Sequence, residues 1–148
     1  GFSNCKFPGR FEVINKNPFI ILDGGHNIDG IKQLSKAIKD YFNNRKIIFF
    51  YSMLKDKDSQ AFFDYILPLS KEVYTLTPSN PRAMEAKDLS ELIKNNSNIK
   101  TTALDSYDQI LPVIKNADQS DIIIFAGSLY MVGGVRTLLK NSGFANKL

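Results

Sequence analysis

The residues best equipped for chemistry lie in one short stretch, Asp23-Gly24-Gly25-His26-Asn27. They follow the apolar run Phe19-Ile20-Ile21-Leu22, which is too short for a helix and reads as a buried strand. After them Ile31, Leu34, Ile38, Tyr41 and Phe42 recur at spacings of three and four, which marks one face of a helix. The stretch is therefore strand, tight turn, helix. In open α/β sheets such turns sit at the carboxyl ends of strands, where ligands gather and the first amides of the next helix favour anions. Asp23 at that place can accept from ribose hydroxyls or cap the helix, with Asn27 and Asp29 as other candidates for the cap. His26 is the only histidine, and its ordinary pKa lies near neutrality. It can move a proton, position a reactant, or act as a structural hydrogen-bonding group.

Two further polar spots end predicted strands. The loop Thr77-Pro78-Ser79-Asn80-Pro81-Arg82 follows the strand Glu72 to Leu76, and Gly127-Ser128 follows the strand Asp121 to Phe125. The Ser128 hydroxyl and its neighbouring amides could hold a carboxylate, or simply cap the last helix. Arg10, beside the permissive Gly9, precedes the first strand; its planar guanidinium suits phosphate oxygens, and a surface salt bridge is the plain alternative. Together these residues make a small-molecule site on one rim of a sheet. Other chemistries are excluded by spacing. Gly25 to Gly30 has the separation of a P-loop but Ile31-Lys32 follows where Lys-Ser/Thr is needed, no G-x-G-x-x-G follows a strand, and Ser128 lacks the G-x-S-x-G of a nucleophile elbow. No Cys/His metal cluster is present.

The elements that must position these groups follow from pattern. A short edge strand, Phe11 to Ile14, turns at Asn15-Lys16-Asn17-Pro18 into the Phe19 strand, and so short a connection requires an antiparallel neighbour. Strand and helix then alternate: Lys46 to Tyr51, a helix with Phe62, Phe63, Ile66 and Leu67 inward that stops near Pro68, and the Glu72 strand. A helix from Ala86 to Lys94, a strand from Ile99 to Ala103 and a helix around Tyr107 to Ile114, interrupted or bent by Pro112, come next. The unbroken Ile122-Ile123-Ile124-Phe125 strand leads into a last helix carrying Met131, Val135, Leu138 and Leu139. The expectation is a three-layer α/β/α Rossmann-like domain, with a mainly parallel six-stranded sheet and an antiparallel first strand. Pattern leaves the strand order open.

Composition agrees with one globular domain. The chain has 148 residues, 43% of them hydrophobic and 23% charged, which argues against disorder. No apolar run nears the roughly 20 residues of a membrane span. A lone Cys5 forms no internal disulfide and agrees with a cytoplasmic protein. The net charge of +4 comes from scattered lysines, whose densest spot, Asn43-Asn44-Arg45-Lys46, reads as a solvated turn. Neither nucleic acid nor membrane is the expected partner.

Three segments also carry a resemblance. Leu22-Asp23-Gly24-Gly25-His26-Asn27 is similar to the LDGAHNP segment of folylpolyglutamate and dihydrofolate synthases, in the carboxy-terminal domain these enzymes share with the Mur ligases. Pro8-Gly9-Arg10-Phe11-Glu12 resembles their PGRFE segment, and Ala126-Gly127-Ser128-Leu129-Tyr130-Met131-Val132-Gly133 their GSLYLVG segment. The resemblance implies an ATP-dependent ligase that adds L-glutamate to folate, or to dihydropteroate, through an acyl phosphate. It implies that Arg10 and Asp23 contact ATP, that His26 and Asp23 lie at the reacting groups, and that His26, Asn27, Ser128 and Tyr130 contact substrate. Magnesium and the triphosphate would be held mostly by an amino-terminal domain, with residues 1–8 as linker and 9–148 as the carboxy-terminal domain. Gly25 stands where the family has Ala and Ile28 where it has Pro, which loosens the expected turn. A free-standing α/β module binding a nucleotide or small molecule is the alternative.

Overall fold

Apolar runs without a polar break belong in the middle of a sheet covered on both faces. The computed structural model describes residues 11–25, 27–43 and 45–144, and its strands are β1 (Glu12–Lys16), β2 (Phe19–Leu22), β3 (Ile47–Tyr51), β4 (Ser70–Thr75), β5 (Lys100–Ala103) and β6 (Ile122–Ala126). They form one sheet in the order β1-β2-β6-β3-β4-β5. Only the β1–β2 pair is antiparallel, as the short turn between them requires. The mixed six-stranded sheet expected from the sequence is the one observed. Its order puts β6, the most apolar strand, at the centre between β2 and β3.

Register explains why both faces of these strands are apolar. Ile21, Ile124, Phe49 and Val73 lie abreast and enter one core, while Leu22, Phe125 and Phe50 lie abreast and enter the other. The first core is covered by α1 (Ile28–Phe42) and α2 (Ala86–Asn96), through Ile31, Leu34 and Ile38 and through Leu89 and Ile93. The second is covered by α3 (Ile110–Asn116) and α4 (Leu129–Asn141), through Ile110 and Ile114 and through Met131, Val132, Val135 and Leu139. Phe50 stacks on Phe125 with ring centroids 4.4 Å apart. Each such fully buried ring contributes about 2–3 kcal/mol from the area removed from water.

Two elements differ from expectation, both at prolines. The segment carrying Phe62 and Ile66 is a single wide turn, Phe62–Ile66, in which the Leu67 amide reaches back to the Phe62 carbonyl, followed by a tight turn over Leu67–Leu69. Pro68 has no amide to continue an α ladder, so the turn widens and then tightens while Phe62, Ile66 and Leu67 stay inward. Pro112 does not bend its helix. It is the third residue of α3, in the first turn, where a missing amide costs little, and a tight turn at Tyr107–Gln109 precedes it.

One long-range contact matters for the rim. Leu54 and Ala83 form an isolated antiparallel bridge, with Met84 N–H to Met53 O at 2.9 Å and Lys55 N–H to Arg82 O at 2.8 Å. The loop after β3 is thereby tied to the loop after β4.

Two glycines near the carboxyl rim make opposite tests of this packing. Gly127 has φ of 108°, and a β-carbon there would fall 2.1 Å from the Ser52 carbonyl oxygen and 3.0 Å from the Tyr51 ring. Gly133 is inside α4 with nothing within 4 Å of its would-be β-carbon. In urea unfolding, Gly127→Ala is expected to lose about 3 kcal/mol or more through strain and overlap. Gly133→Ala is expected to gain roughly 0.5–1 kcal/mol from helix propensity. Midpoints that move in the same direction would contradict this placement of the two residues.

Candidate functional site

The carboxyl ends of β2, β6 and β3 carry the site. Leu22 pairs with Phe125, and Phe50 with Phe125 on the other side, so the three strands reach the rim together. Asp23, the next residue after β2, donates its backbone amide to Phe125 O at 2.9 Å, continuing the ladder by one bond. Its carboxylate is buried and accepts the Gly25 amide at 2.7 Å. A buried carboxylate needs such donors, because desolvation without them is costly.

The turn beyond Asp23 is closer than the sequence suggested. A β-carbon on Gly25 would lie 2.8 Å from the Asp23 Oδ1, and one on Gly30 would lie 3.0 Å from the Gly25 Cα. Gly25 thus lets the chain fold back on the Asp23 carboxylate and on the first turn of α1. The cap of α1 is Asn27, whose Oδ1 accepts the Gly30 amide at 2.8 Å. Asp23 does not cap it. Ile28 opens the helix in place of a proline and is 49% exposed.

Ser128 caps α4, its Oγ accepting the Tyr130 amide at 3.1 Å, and it is buried. The helix-cap alternative is therefore realised, and the hydroxyl proton remains a donor. Tyr130 and Leu129 stand out from the first turn at 51% and 48% exposure. With Leu54, Lys57, Arg82, Gly127 and Ser128 they line a cleft of about 320 Å³. A second cleft of about 490 Å³ is lined by Asn27, Ile28, Asp29 and Ile31 on one side and by Asp56, Lys57 and Asp58 on the other. Asp23, Asn27, Ser128 and Tyr130 thus share one rim, and the Arg82 loop joins them there. Arg10 and His26 lie outside the described residues.

Two residues escaped the sequence reading. Tyr51 ends β3 fully buried, with its ring beneath Gly127 and 4.2 Å from that of Phe62. Burial, and secondarily the Asp23 charge, push its phenol well above the ordinary tyrosine range, so it stays protonated. Its position as the last apolar residue of β3 was the available signal. Lys57 lies in the charge run Lys55-Asp56-Lys57-Asp58, which carries no motif, and the Leu54–Ala83 bridge ties that loop to the rim.

Among the described residues no group of three or more His, Cys, Asp or Glu could hold a metal ion. No described helix is long and apolar enough to cross a membrane.

Comparison with known proteins gives one consistent answer. A family model for the Mur ligase, glutamate ligase domain matches residues 9–129. The dihydrofolate synthase/folylpolyglutamate synthase of Bacillus subtilis (strain 168) is 30% identical over 140 residues, covering 95% of this chain and 32% of that protein. The folylpolyglutamate synthase of Lacticaseibacillus casei is 32% identical, covering 94% of this chain and 31% of that protein. A bifunctional folylpolyglutamate synthase/dihydrofolate synthase solved with Mn, AMPPNP and L-glutamate bound superposes with a TM-score of 0.75 at 26% identity, over 93% of this chain and 32% of that one. The Escherichia coli FolC protein in complex with DHPP and ADP shares the fold at a TM-score of 0.80 and 22% identity, over 95% of this chain and 33% of that one. The chain spans about a third of the length of these relatives, and by the match over residues 9–129 it belongs to the Mur ligase, glutamate ligase domain family.

Proposed function

We propose that this chain is the carboxy-terminal, glutamate- and nucleotide-contacting part of an ATP-dependent ligase that adds L-glutamate to folate or to dihydropteroate. The observation that carries the reading is the pairing of Leu22 with Phe125, which puts the Asp23 turn and the Ser128 cap side by side on one rim. The family match and the relatives' names supply the class of reaction. In that reaction ATP phosphorylates the acceptor carboxylate, and the amine of free glutamate attacks the acyl phosphate.

The roles fall to residues as their chemistry suits. Asp23 presents a carboxylate to the ribose hydroxyls of ATP, and its placement on a rigid strand end fixes where the nucleotide lies. Ser128 retains a hydroxyl donor for a glutamate carboxylate, in a cleft whose charged side chains, Lys57 and Arg82, are both cations. Tyr130 and Leu129 cover the aliphatic part of the same ligand. Asn27, already spent on the cap, contributes its carboxamide N–H₂ to the second cleft. Arg10 would reach phosphate oxygens and His26 would position the reacting groups, as the resemblance implies. The triphosphate and magnesium belong to an amino-terminal domain of the same polypeptide, joined through residues 1–8. On this reading the full-length protein works in the cytoplasm.

The test is a full-length protein containing this chain, assayed for ATP-dependent glutamate addition to a folate and to dihydropteroate. The isolated chain is expected to release no ADP above background. Ser128→Ala should raise the KM for glutamate roughly fivefold, the size of one net hydrogen bond, and leave the KM for ATP unchanged. Asp23→Asn, which keeps an oxygen for the Gly25 amide, should do the reverse. Equal shifts in both constants for both variants would remove this division of labour.

A further inference from the structure

We propose that Tyr51 is a positioning residue for the nucleotide side of the rim, its phenol hydroxyl holding the Asp23 carboxylate in the orientation that meets a ribose. This rests on the reading of Asp23 given above.

Register brings the two side chains together. Leu22 lies opposite Phe125, and the Asp23 amide extends that ladder by one bond, so Asp23 stands level with Ala126 on one side of β6 while Tyr51 pairs with Ala126 on the other. Side chains alternate along a strand, and Ile21, Ala126 and Tyr51 all enter the core beneath α1 and α2, so the Asp23 side chain turns to that face as well. Across two strand spacings the residues start roughly 10 Å apart. The side chain between them is an alanine, the smallest that could stand there, and a carboxylate and a long phenol can approach each other over it.

The core leaves the ring no choice of position. It lies 4.2 Å from the Phe62 ring on one side, and Cε1 and Cζ, at its outer end, are 3.0 Å from where a β-carbon on Gly127 would fall. Phenylalanine would fill this space equally well. The hydroxyl is therefore not explained by packing, and among the described residues it enters no hydrogen bond, although a buried phenol ordinarily finds a partner. Among those residues the charge that acts on it is that of Asp23, which adds to burial in keeping it protonated. A hydroxyl proton rotates to suit the local field, so the phenol presents a neutral donor to a carboxylate whose Oδ1 is already anchored by the Gly25 amide. With the donor on one side and the Gly25 amide on the other, the carboxylate has one favoured rotation.

The experiment is a double-mutant cycle in the full-length protein: wild type, Tyr51→Phe, Asp23→Asn and the double variant, with the Kd of a non-hydrolysable ATP analogue measured by calorimetry. Tyr51→Phe should raise that Kd roughly fivefold, the size of one net hydrogen bond, while its urea midpoint does not fall and the KM for glutamate stays within about twofold. In the Asp23→Asn background the same change should move the Kd by less than about twofold, because the hydroxyl acts through the carboxylate. An unchanged Kd in Tyr51→Phe overturns the proposal, and so does an equal rise in both backgrounds or an equal rise in the KM for glutamate. A wild type that binds the analogue but ligates no glutamate overturns the ligase reading alone, and the Kd values still decide for or against Tyr51. A wild type that binds no analogue overturns the nucleotide role of Asp23, and this proposal with it.

Discussion

The structure depends on β6 lying between β2 and β3 with its residues in register on both sides. Ile124 faces one core beside Ile21 and Phe49, and Phe125 faces the other beside Leu22 and Phe50, so a single strand ties together both hydrophobic layers. The same pairing determines what happens at the rim. Because Asp23 donates to Phe125 O and Ser52 donates to Ala126 O, at 2.9 and 3.3 Å, the turns after three strands begin at the same height. Gly127 then has to pass over the Ser52 carbonyl and the Tyr51 ring, and a positive φ with no β-carbon is what allows it. Core packing and site geometry are one constraint seen at two places along a strand.

Much of this was legible in the sequence, because the relevant signals are local. Unbroken runs such as Ile122 to Phe125 admit only a strand covered on both faces, and the short connection before Phe19 admits only an antiparallel neighbour, although β1 runs on through Asn15 and Lys16 and leaves a turn of Asn17 and Pro18 alone. Strand order was not legible, since it follows from which apolar faces fit together and not from any one segment. The Phe62 segment misled for a related reason: its apolar spacing is helical, but Pro68 decides the hydrogen bonding and the packing then accepts a wider turn with the same residues inward.

The site divides in the same way. That Asp23, Asn27 and Ser128 sit at strand ends is written in the pattern, and the choice of Asn27 as the cap over Asp23 needed the distances at Gly25 and Gly30. Lys57 could not be read at all. Its claim to the rim rests on a bridge between Leu54 and Ala83, residues far apart in sequence and joined only once the sheet has formed. A motif can place a residue that acts at the end of its own strand, but it says nothing of one delivered by a loop from another part of the chain.

Charge shows why local arrangement outweighs the overall balance. A net charge of +4 spread over 148 residues predicts mild attraction for anions and no address for them. At the rim the sign changes across one side chain: the cleft toward Ser128 is lined by Lys57 and Arg82, and the cleft toward Asn27 by Asp29, Asp56 and Asp58 together with Lys57. At physiological ionic strength screening acts over about 8 Å, so distant lysines contribute little to what either cleft attracts. A ligand entering here meets the charges that line the clefts and few others. Two of those charges are held by short bonds, Asp56 to Arg82 at 2.7 Å and Asp58 to the Gln60 amide at 2.9 Å. Polarity along the rim is therefore set by the hydrogen bonding of a single loop, and that loop is placed by β3 and by its bridge to the loop after β4.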